Sequence, residues 1–504
     1  MLAAMNTSWL MRSDGRINLA HRCASAGVLL VAWLAAACGD TTPPNGGVTT
    51  RVPDGPLSTT TAKVGAGATP RTGESPSPQT NAPGFMMESG GATYAVNTNG
   101  EITPIMRFPP GLAEDTLAYM HQYAVSPDGR AVAAKCADDG TLVLVPPAGA
   151  APAICVFREG ETAGRVIASK ADFVRGAEIG FPWSGGDPFY WSPDGTNIAF
   201  YVRIDESASD VYVADLAARS VTRVFENSGH ARLTGVTWSP DGTRFAIAPF
   251  FDDPGTRSLL VIDPVSGGQV DLVAGLPAEA RVGTSVAWSP DGGSVAVIAL
   301  IQKFAGTKDY DPRIYVLRAD GSAAHHVATA GLAPAFQSPP SWSPDGRWLV
   351  ASLVTGRHPG TMASIEAAYL LRIDDSEQRL LGENMSPYGV AWATDGDHAA
   401  LWANSEKGWT FAIGAMDSGE AARLIDAVLA FHGGLSVYPV VAAWNADQSA
   451  IFYSLRGCGQ GGCTAGPLYV VDVAGGEPRK LWDKPVDRSW TTRTRAVSAN
   501  VPSS

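Results

Sequence analysis

Thr234-Gly-Val-Thr-Trp-Ser-Pro-Asp-Gly242 runs directly into Arg244-Phe-Ala-Ile-Ala248, and then come Leu259-Leu-Val-Ile-Asp263 and Gln269-Val-Asp-Leu-Val273. Four short runs rich in aromatic and β-branched residues, parted by Gly, Pro, Asp and Ser, read as four strands joined by turns. The core of this passage recurs along the chain. It stands as Val125-Ser-Pro-Asp-Gly129, Trp191-Ser-Pro-Asp-Gly195, Trp238-Ser-Pro-Asp-Gly242, Trp288-Ser-Pro-Asp-Gly292 and Trp342-Ser-Pro-Asp-Gly346, then loosens to Trp392-Ala-Thr-Asp-Gly396 and Trp444-Asn-Ala-Asp-Gln448. The repeated aspartates, Asp128, Asp194, Asp241, Asp291, Asp345, Asp395 and Asp447, are 66, 47, 50, 54, 50 and 52 residues apart. Four strands in a repeat of about fifty residues form the blade of an all-β propeller.

Each position of the phrase has a mechanical task. Proline presets φ at the second position of a turn, aspartate hydrogen-bonds back to the nearby backbone, and glycine takes the conformation that leaves the turn. The phrase is therefore the corner between the first and second strands. The preceding tryptophan is a large flat side chain suited to the wedge between neighbouring blades. Other copies keep the plan, with Ile198-Ala-Phe-Tyr-Val202 and Asp210-Val-Tyr-Val-Ala214 in one, and Val295-Ala-Val-Ile-Ala299 and Arg313-Ile-Tyr-Val-Leu317 in the next. Deviant terminal copies, with Val125 in place of tryptophan and Gln448 in place of glycine, are usual where a repeat meets an unlike neighbour.

These residues resemble the TolB-like, or WD40-like PD40, propeller repeat. The shared form is Trp-Ser-Pro-Asp-Gly, an Ile-Ala-Phe-like strand and an Ile-Tyr-Val-like strand ending near Asp-Gly or Gly-Gly, as in Ile314-Tyr-Val-Leu-Arg-Ala-Asp-Gly321 and Leu468-Tyr-Val-Val-Asp-Val-Ala-Gly-Gly476. The resemblance covers residues 91–482 and implies a fold rather than a ligand, because the motif residues maintain blades. Seven corners favour seven four-stranded blades, with an N-terminal strand completing the ring. The alternative is an eighth, split blade: residues 92–105 would supply its third and fourth strands and residues 489–497 its first half. Either closure hides the open edges of the array.

The chain has 504 residues and a formal net charge of −12, with 55 glycines, 36 prolines and 17% charged residues. That balance disfavours a nucleic-acid partner, whose binders concentrate Lys and Arg. Arg12, Arg16 and Arg22 precede an apolar stretch at residues 24–37, too short for a stable bilayer span, and Ala35-Ala-Ala37 leads into Cys38. This resembles a bacterial lipoprotein signal, which implies lipidation of Cys38 and a location in the cell envelope, facing the periplasm or exterior. Ala35 stands where that pattern prefers Leu, and Leu34 lies one step earlier. Residues 1–37 are read as the signal, and residues 38–90 as the lipidated cysteine and a disordered Thr/Pro/Gly/Ser-rich tether of about 40 Å root-mean-square span. Residues 91–488 are the propeller, and 489–504 a tail that could supply the closing strand. The spacing of the remaining cysteines suggests two bridges, Cys136 with Cys155 and Cys458 with Cys463, in keeping with an oxidising compartment.

Catalytic signatures are sparse. Prolyl-peptidase-like enzymes join a related propeller to an α/β-hydrolase domain, but about twenty residues follow the last blade here, and no Gly-x-Ser-x-Gly joins a strand to a helix. The scattered histidines form no His-Glu-x-x-His, and His325-His326 would point to opposite faces of a strand. Acidic clusters at Phe251-Asp-Asp-Pro-Gly255, Lys308-Asp-Tyr-Asp-Pro312 and Asp374-Asp375 could hold Ca2+, yet none has the spacing of an EF-hand loop; no cofactor is expected. Loop length says more. The second-to-third-strand connections at residues 203–209, 250–258, 301–312, 355–366 and 454–467 exceed what a hairpin needs, and residues 158–187 are an extra stretch. Unequal insertions on one side of a rigid scaffold build a recognition surface. Its candidate contacts are Phe250, Phe251, Phe304, Tyr310, Arg357 and His358. The expectation is a monomeric, membrane-anchored propeller, more a binder or scaffold than an enzyme, that recognises an envelope protein, peptide or polysaccharide. No room is evident for the separate N-terminal α/β domain of TolB, so a TolB role does not transfer. The alternative is a polysaccharide lyase or glycan hydrolase with convergent acids and bases at the channel mouth.

Overall fold

The structure is a computed structural model and describes residues 83–109, 112, 123–143, 153–173, 178–179, 189–204, 209–227, 233, 235–248, 258–303, 310–327, 329, 331–335, 340–357, 364–383, 390–393, 396–405, 408–415, 423–426, 436–459 and 462–490. The expected signal, Cys38 and most of the expected tether lie outside these residues.

The described strands build an eight-bladed β-propeller of antiparallel, mostly four-stranded sheets. Blade 1 runs Tyr123–Val125, Val132–Cys136, Ala153–Phe157 and Arg165–Ala168, and blade 2 runs Phe189–Trp191, Asn197–Arg203, Ser209–Asp215 and Ser220–Phe225. Blade 3 contains Thr237–Trp238, Phe245–Ile247, Leu260–Ile262 and Gln269–Asp271; blade 4 contains Ala280–Trp288, Ser294–Gln302, Tyr310–Arg318 and Ala324–His326. Blade 5 has Ser341–Trp342, Trp348–Arg357, Ser364–Arg372 and Gln378–Glu383; blade 6 has Val390–Trp392, His398–Ser405, Gly408–Ala415 and Arg423–Asp426. Blade 7 comprises Ser436–Trp444, Ala450–Gly459, Gly462–Asp472 and Arg479–Trp482. First strands of successive blades lie against one another, so they form the inner ring.

Blade 8 corrects the expectation of seven. It is split, but three strands to one rather than two to two. Pro83–Ser89, Ala92–Asn97 and Ile102–Arg107 supply its second, third and fourth strands, and Arg488–Trp490 supplies only the first, pairing Met86 with Trp490 and Glu88 with Arg488. The strand Pro83–Ser89 thus lies inside the stretch expected to be tether. The physical reason is local: Phe85-Met-Met87 is an apolar run within a polar tract, and these side chains are fully or almost fully buried. Residues 158–187 are likewise not a simple insertion, for Arg165–Ala168 is the fourth strand of blade 1 and Glu178–Ile179 adds to the second strand of blade 2.

The sheets pack face to face around the ring with both faces covered. In the second strand of blade 2, Ile198, Phe200 and Val202 enter the apolar cluster shared with blade 1, while Ala199 and Tyr201 enter the cluster shared with blade 3. This two-residue alternation repeats at every seam. Eight such clusters fill the eight seams, including those on either side of the split blade. Cys136 and Cys155 are fully buried in the cluster between blades 8 and 1 and form a disulfide with a Cα–Cα distance of 5.8 Å.

Candidate recognition face

Antiparallel order places the first-to-second and third-to-fourth turns of every blade on one side of the ring. The second-to-third and blade-to-blade connections gather on the other. The first side is a corner face and the second a hairpin face, and they are built on different principles.

On the corner face, the Ser-Pro-Asp-Gly phrase closes on itself. In blades 1 to 5 the serine hydroxyl donates to the aspartate at 2.5–2.6 Å, and the same carboxylate accepts the amide two residues on at 2.9–3.1 Å. The serine oxygen also accepts the amide five residues on at 2.9–3.0 Å. Glycine at the fourth corner position has φ of 68–72°, left-handed backbone that a Cβ disfavours. Where blade 7 departs from the phrase, Asn445 replaces serine in both bonds, at 2.7 and 2.8 Å, and Gln448 takes φ of 59°. Asp395 lies outside the described residues.

In blades 2 to 5 and in blade 7 these bonds hold the corner carboxylate below the usual aspartate range. The Ser289 hydroxyl and then the Gly293 amide do so for Asp291, and the Ser449 hydroxyl leads for Asp447. For Asp194, Asp241 and Asp345, burial pushes upward, but the hydroxyl and amide donors together outweigh it. The third-to-fourth turns repeat the device. Asp320 is lowered by the Ser322 hydroxyl and amide, and Asp374 by those of Ser376. The corner aspartates are therefore committed to their own turns.

The tryptophan before each corner reaches across the seam. Its indole N–H donates to the preceding blade, at the residue just before that blade's own Val or Trp: Trp191 to the Ala124 carbonyl, Trp238 to Tyr190, Trp288 to Thr237, Trp342 to Ala287 and Trp444 to Ala391, at 2.9–3.0 Å. Trp392 donates instead to the Ser341 hydroxyl at 3.0 Å. Six seams thus share one latch.

The hairpin face is uneven. Second and third strands have three residues each in blade 3, five in blade 1 and seven in blade 2. They lengthen to nine and nine in blade 4, ten and nine in blade 5, eight and eight in blade 6, and ten and eleven in blade 7. Measured from the tryptophan-paired residue, the second strand continues from Phe245 to Ile247 in blade 3 and from Ile451 to Gly459 in blade 7. The six additional residues amount to about 20 Å of extended chain. Bulges at Val354/Gly356 in blade 5 and Ser454/Arg456 in blade 7 mark where the hairpins leave the blade body, as bulges commonly re-aim a strand. In blade 8 the same connection is the two-glycine turn Gly90-Gly91, with φ of 55° and 72°.

Among the expected contacts, Tyr310 begins the third strand of blade 4 and Arg357 ends the second strand of blade 5, so adjacent blades bring both to the hairpin face. Phe250, Phe251, Phe304 and His358 lie outside the described residues. So do Asp252, Asp253 and Asp309 of the acidic clusters. Of the others, Asp311 pairs with Arg313 at 2.8 Å and Asp375 with His325 Nε2 at 3.1 Å, across the seam between blades 4 and 5. Cys458 and Cys463 face each other in the register of the blade 7 hairpin.

Several buried polar anchors were not expected. Asp210, 1% exposed, accepts the Asn227 amide at 2.9 Å and Arg223 at 3.4 Å, tying down the exit from blade 2. The Ser352 hydroxyl donates to Glu366 at 2.6 Å within the blade 5 hairpin. At the seam between blades 8 and 1, the Tyr123 hydroxyl donates to buried Glu88, and the Thr93 hydroxyl donates to the Gly129 carbonyl at 2.6 Å. Glu88 had one signal in the sequence, as a lone charge directly after the apolar run Phe85-Met-Met87. Among the described residues, no three His, Cys, Asp or Glu side chains converge as a metal site.

A family model, the TolB beta propeller domain PD40, matches residues 188–396, which span blades 2 to 5 and the corner of blade 6. An uncharacterized protein of Agrobacterium fabrum is 25% identical over 36% of this chain and 62% of its own length. The uncharacterized peptidase YuxL of Bacillus subtilis is 28% identical over 33% of this chain and 29% of its own length. Both curated relatives are therefore matched over less than two thirds of their lengths. Among solved structures, a putative TolB from Agrobacterium tumefaciens aligns with a TM-score of 0.30 and 18% identity, covering 52% of this chain and 79% of that one. The fold is a TolB/PD40-like β-propeller.

Proposed function

We propose that this chain is a non-catalytic binding or scaffold propeller of the bacterial cell envelope, tethered to a membrane through lipidated Cys38 and recognising a protein, peptide or envelope polymer with the hairpin face of blades 4 to 7. One observation carries the reading: strand extension is concentrated in the second and third strands of four successive blades, on the side away from the self-satisfied corners. Strands that outrun the packed blade add little to the core, and insertions of that kind on a rigid scaffold serve recognition. The reach of a flexible tether suits a folded body held off a membrane surface.

The test uses the full chain, immobilised and exposed to envelope extract. Replacing residues 303–309 and 358–363 with two-residue turns should abolish capture of the specific partner and leave the unfolding temperature unchanged. Capture that survives both replacements refutes the assignment of the face. Turnover of a glycan or peptide by the purified chain would instead favour a channel-mouth enzyme. Separately, Cys38→Ser should move the protein from the membrane to the soluble fraction; unchanged membrane retention would refute the anchor.

A further inference from the structure

Among the described residues, blade 7 has the longest pair of second and third strands, and the sequence at their junction is Gly457-Cys-Gly-Gln-Gly-Gly-Cys463. Such a tip is poorly specified by its own chemistry. Glycines bring no side chains to hold one strand against the other, and Gly-rich pairings are prone to slip in register. The observed register nevertheless pairs Gly457 with Thr464, Cys458 with Cys463 and Gly459 with Gly462.

Residues directly opposite each other in an antiparallel pair have Cα atoms about 4.5–5.5 Å apart. This separation falls within the Cα range of disulfides, about 4.4–6.8 Å. The two cysteines thus occupy the kind of cross-strand pair that a disulfide can bridge without moving the backbone.

We propose that Cys458 and Cys463 form a cross-strand disulfide that clasps the tip of the blade 7 hairpin and fixes its register. It is a second covalent site, distinct in kind from the Cys136–Cys155 bridge. That bridge joins diagonal positions, since Cys155 pairs with Ala134 and Cys136 with Ala153, and both of its cysteines are fully buried between blades. The clasp lies where the second and third strands of blade 7 end and begin, at the tip of that hairpin. Its formation is a thiol–disulfide exchange with a small-molecule disulfide such as glutathione disulfide. One cysteine thiolate attacks a sulfur of the incoming disulfide and releases one thiol, and the second cysteine thiolate then attacks the mixed disulfide and releases the other. The two cysteine protons and two electrons leave on the two thiols. The proposal stands on register alone and is independent of the partner-binding reading.

The full chain is equilibrated in a glutathione/glutathione-disulfide buffer, its free thiols are blocked, and tryptic peptides are mapped without reduction. Cleavage at Arg456 and Arg479 leaves both cysteines in one peptide. The expected result is that this peptide is unlabelled and lighter than its reduced form by two hydrogen atoms, while mild native reduction opens it and leaves the Cys136–Cys155 bridge closed. Hydrogen exchange of residues 450–472 should then rise in the reduced protein, and the Cys458→Ser/Cys463→Ser double variant should match that rise. Blocked free thiols, or glutathione on both cysteines, under conditions that close Cys136–Cys155, would overturn the proposal. So would protection that a metal chelator abolishes, or hydrogen exchange that is the same with and without the clasp.

Discussion

The corner face and the hairpin face of the ring are made from the same strands yet differ in almost every respect. On the corner face five blades repeat the Ser-Pro-Asp-Gly hydrogen-bond pattern with little variation, and each aspartate faces its own backbone. On the hairpin face the same blades diverge, from three-residue strands in blade 3 to ten- and eleven-residue strands in blade 7. Uniformity marks the side that every blade must build to stack on its neighbour. Divergence marks the side that the ring can alter without losing closure. If the two faces are separable in this way, changes near the corners cost stability and spare binding, and changes at the hairpin tips do the reverse.

The largest stability effect is expected where the ring is closed. Removing residues 488–504 deletes the first strand of blade 8, exposing the edge of Pro83–Ser89 and opening the seams on both sides. The truncated chain should lose cooperative thermal unfolding and aggregate on gel filtration; a monomer with an unchanged transition would show that the split blade does not hold the ring.

Next in size is the seam latch. Trp288→Phe keeps an aromatic ring but leaves the Thr237 carbonyl without its indole donor, at a cost of about 1–3 kcal/mol. Trp288→Ala, which also empties part of the seam, should cost about 3–5 kcal/mol. Denaturant unfolding of the two variants separates the hydrogen bond from the packing, and equal losses would mean that the indole N–H contributes nothing.

A smaller effect is expected at the corner itself. Asp291→Asn weakens the bonds from Ser289 and Gly293 and should cost about 1 kcal/mol. Its pH dependence is more diagnostic. Asp291, Asp320, Asp374 and Asp447 are held below the ordinary value of 3.8, so each favours the folded state fully above that value and loses its contribution as pH falls through its folded pKa. Acid should therefore destabilise the wild-type protein from about pH 4 downward, and Asp291→Asn should shallow that limb. A variant with the same acid profile as wild type would remove the carboxylate from the account.

Much of this architecture could be read from residues, and the limits are instructive. Trp-Ser-Pro-Asp-Gly announces its turn because every side chain in it bonds locally, and local chemistry is visible in a linear sequence. The indole latch is not, since its acceptor is a carbonyl some fifty residues away with no residue type to mark it. The sequence offers blade 8 only as the alternative to a ring of seven, because its first strand and its second come from opposite ends of the chain and no corner phrase joins them. Yet Trp490 ends the first strand of blade 8 as tryptophan ends the first strands of blades 2 to 7, and with Phe85-Met-Met87 it was the surviving trace of an eighth copy. The hairpin face was legible as loop length, but extension of the strands themselves was not. Glycine-rich tips such as residues 457–463 read as loop until a partner strand fixes their register.

The central claim is that recognition resides on the hairpin face, and one paired measurement tests it most directly. The full chain with residues 303–309 and 358–363 shortened to two-residue turns is compared with Asp291→Asn for partner affinity and unfolding free energy in the same buffer. The prediction is that the shortened variant loses binding at wild-type stability, while the corner variant loses about 1 kcal/mol of stability at wild-type affinity. Wild-type affinity in the shortened variant, or lost affinity in a fully folded corner variant, would contradict it.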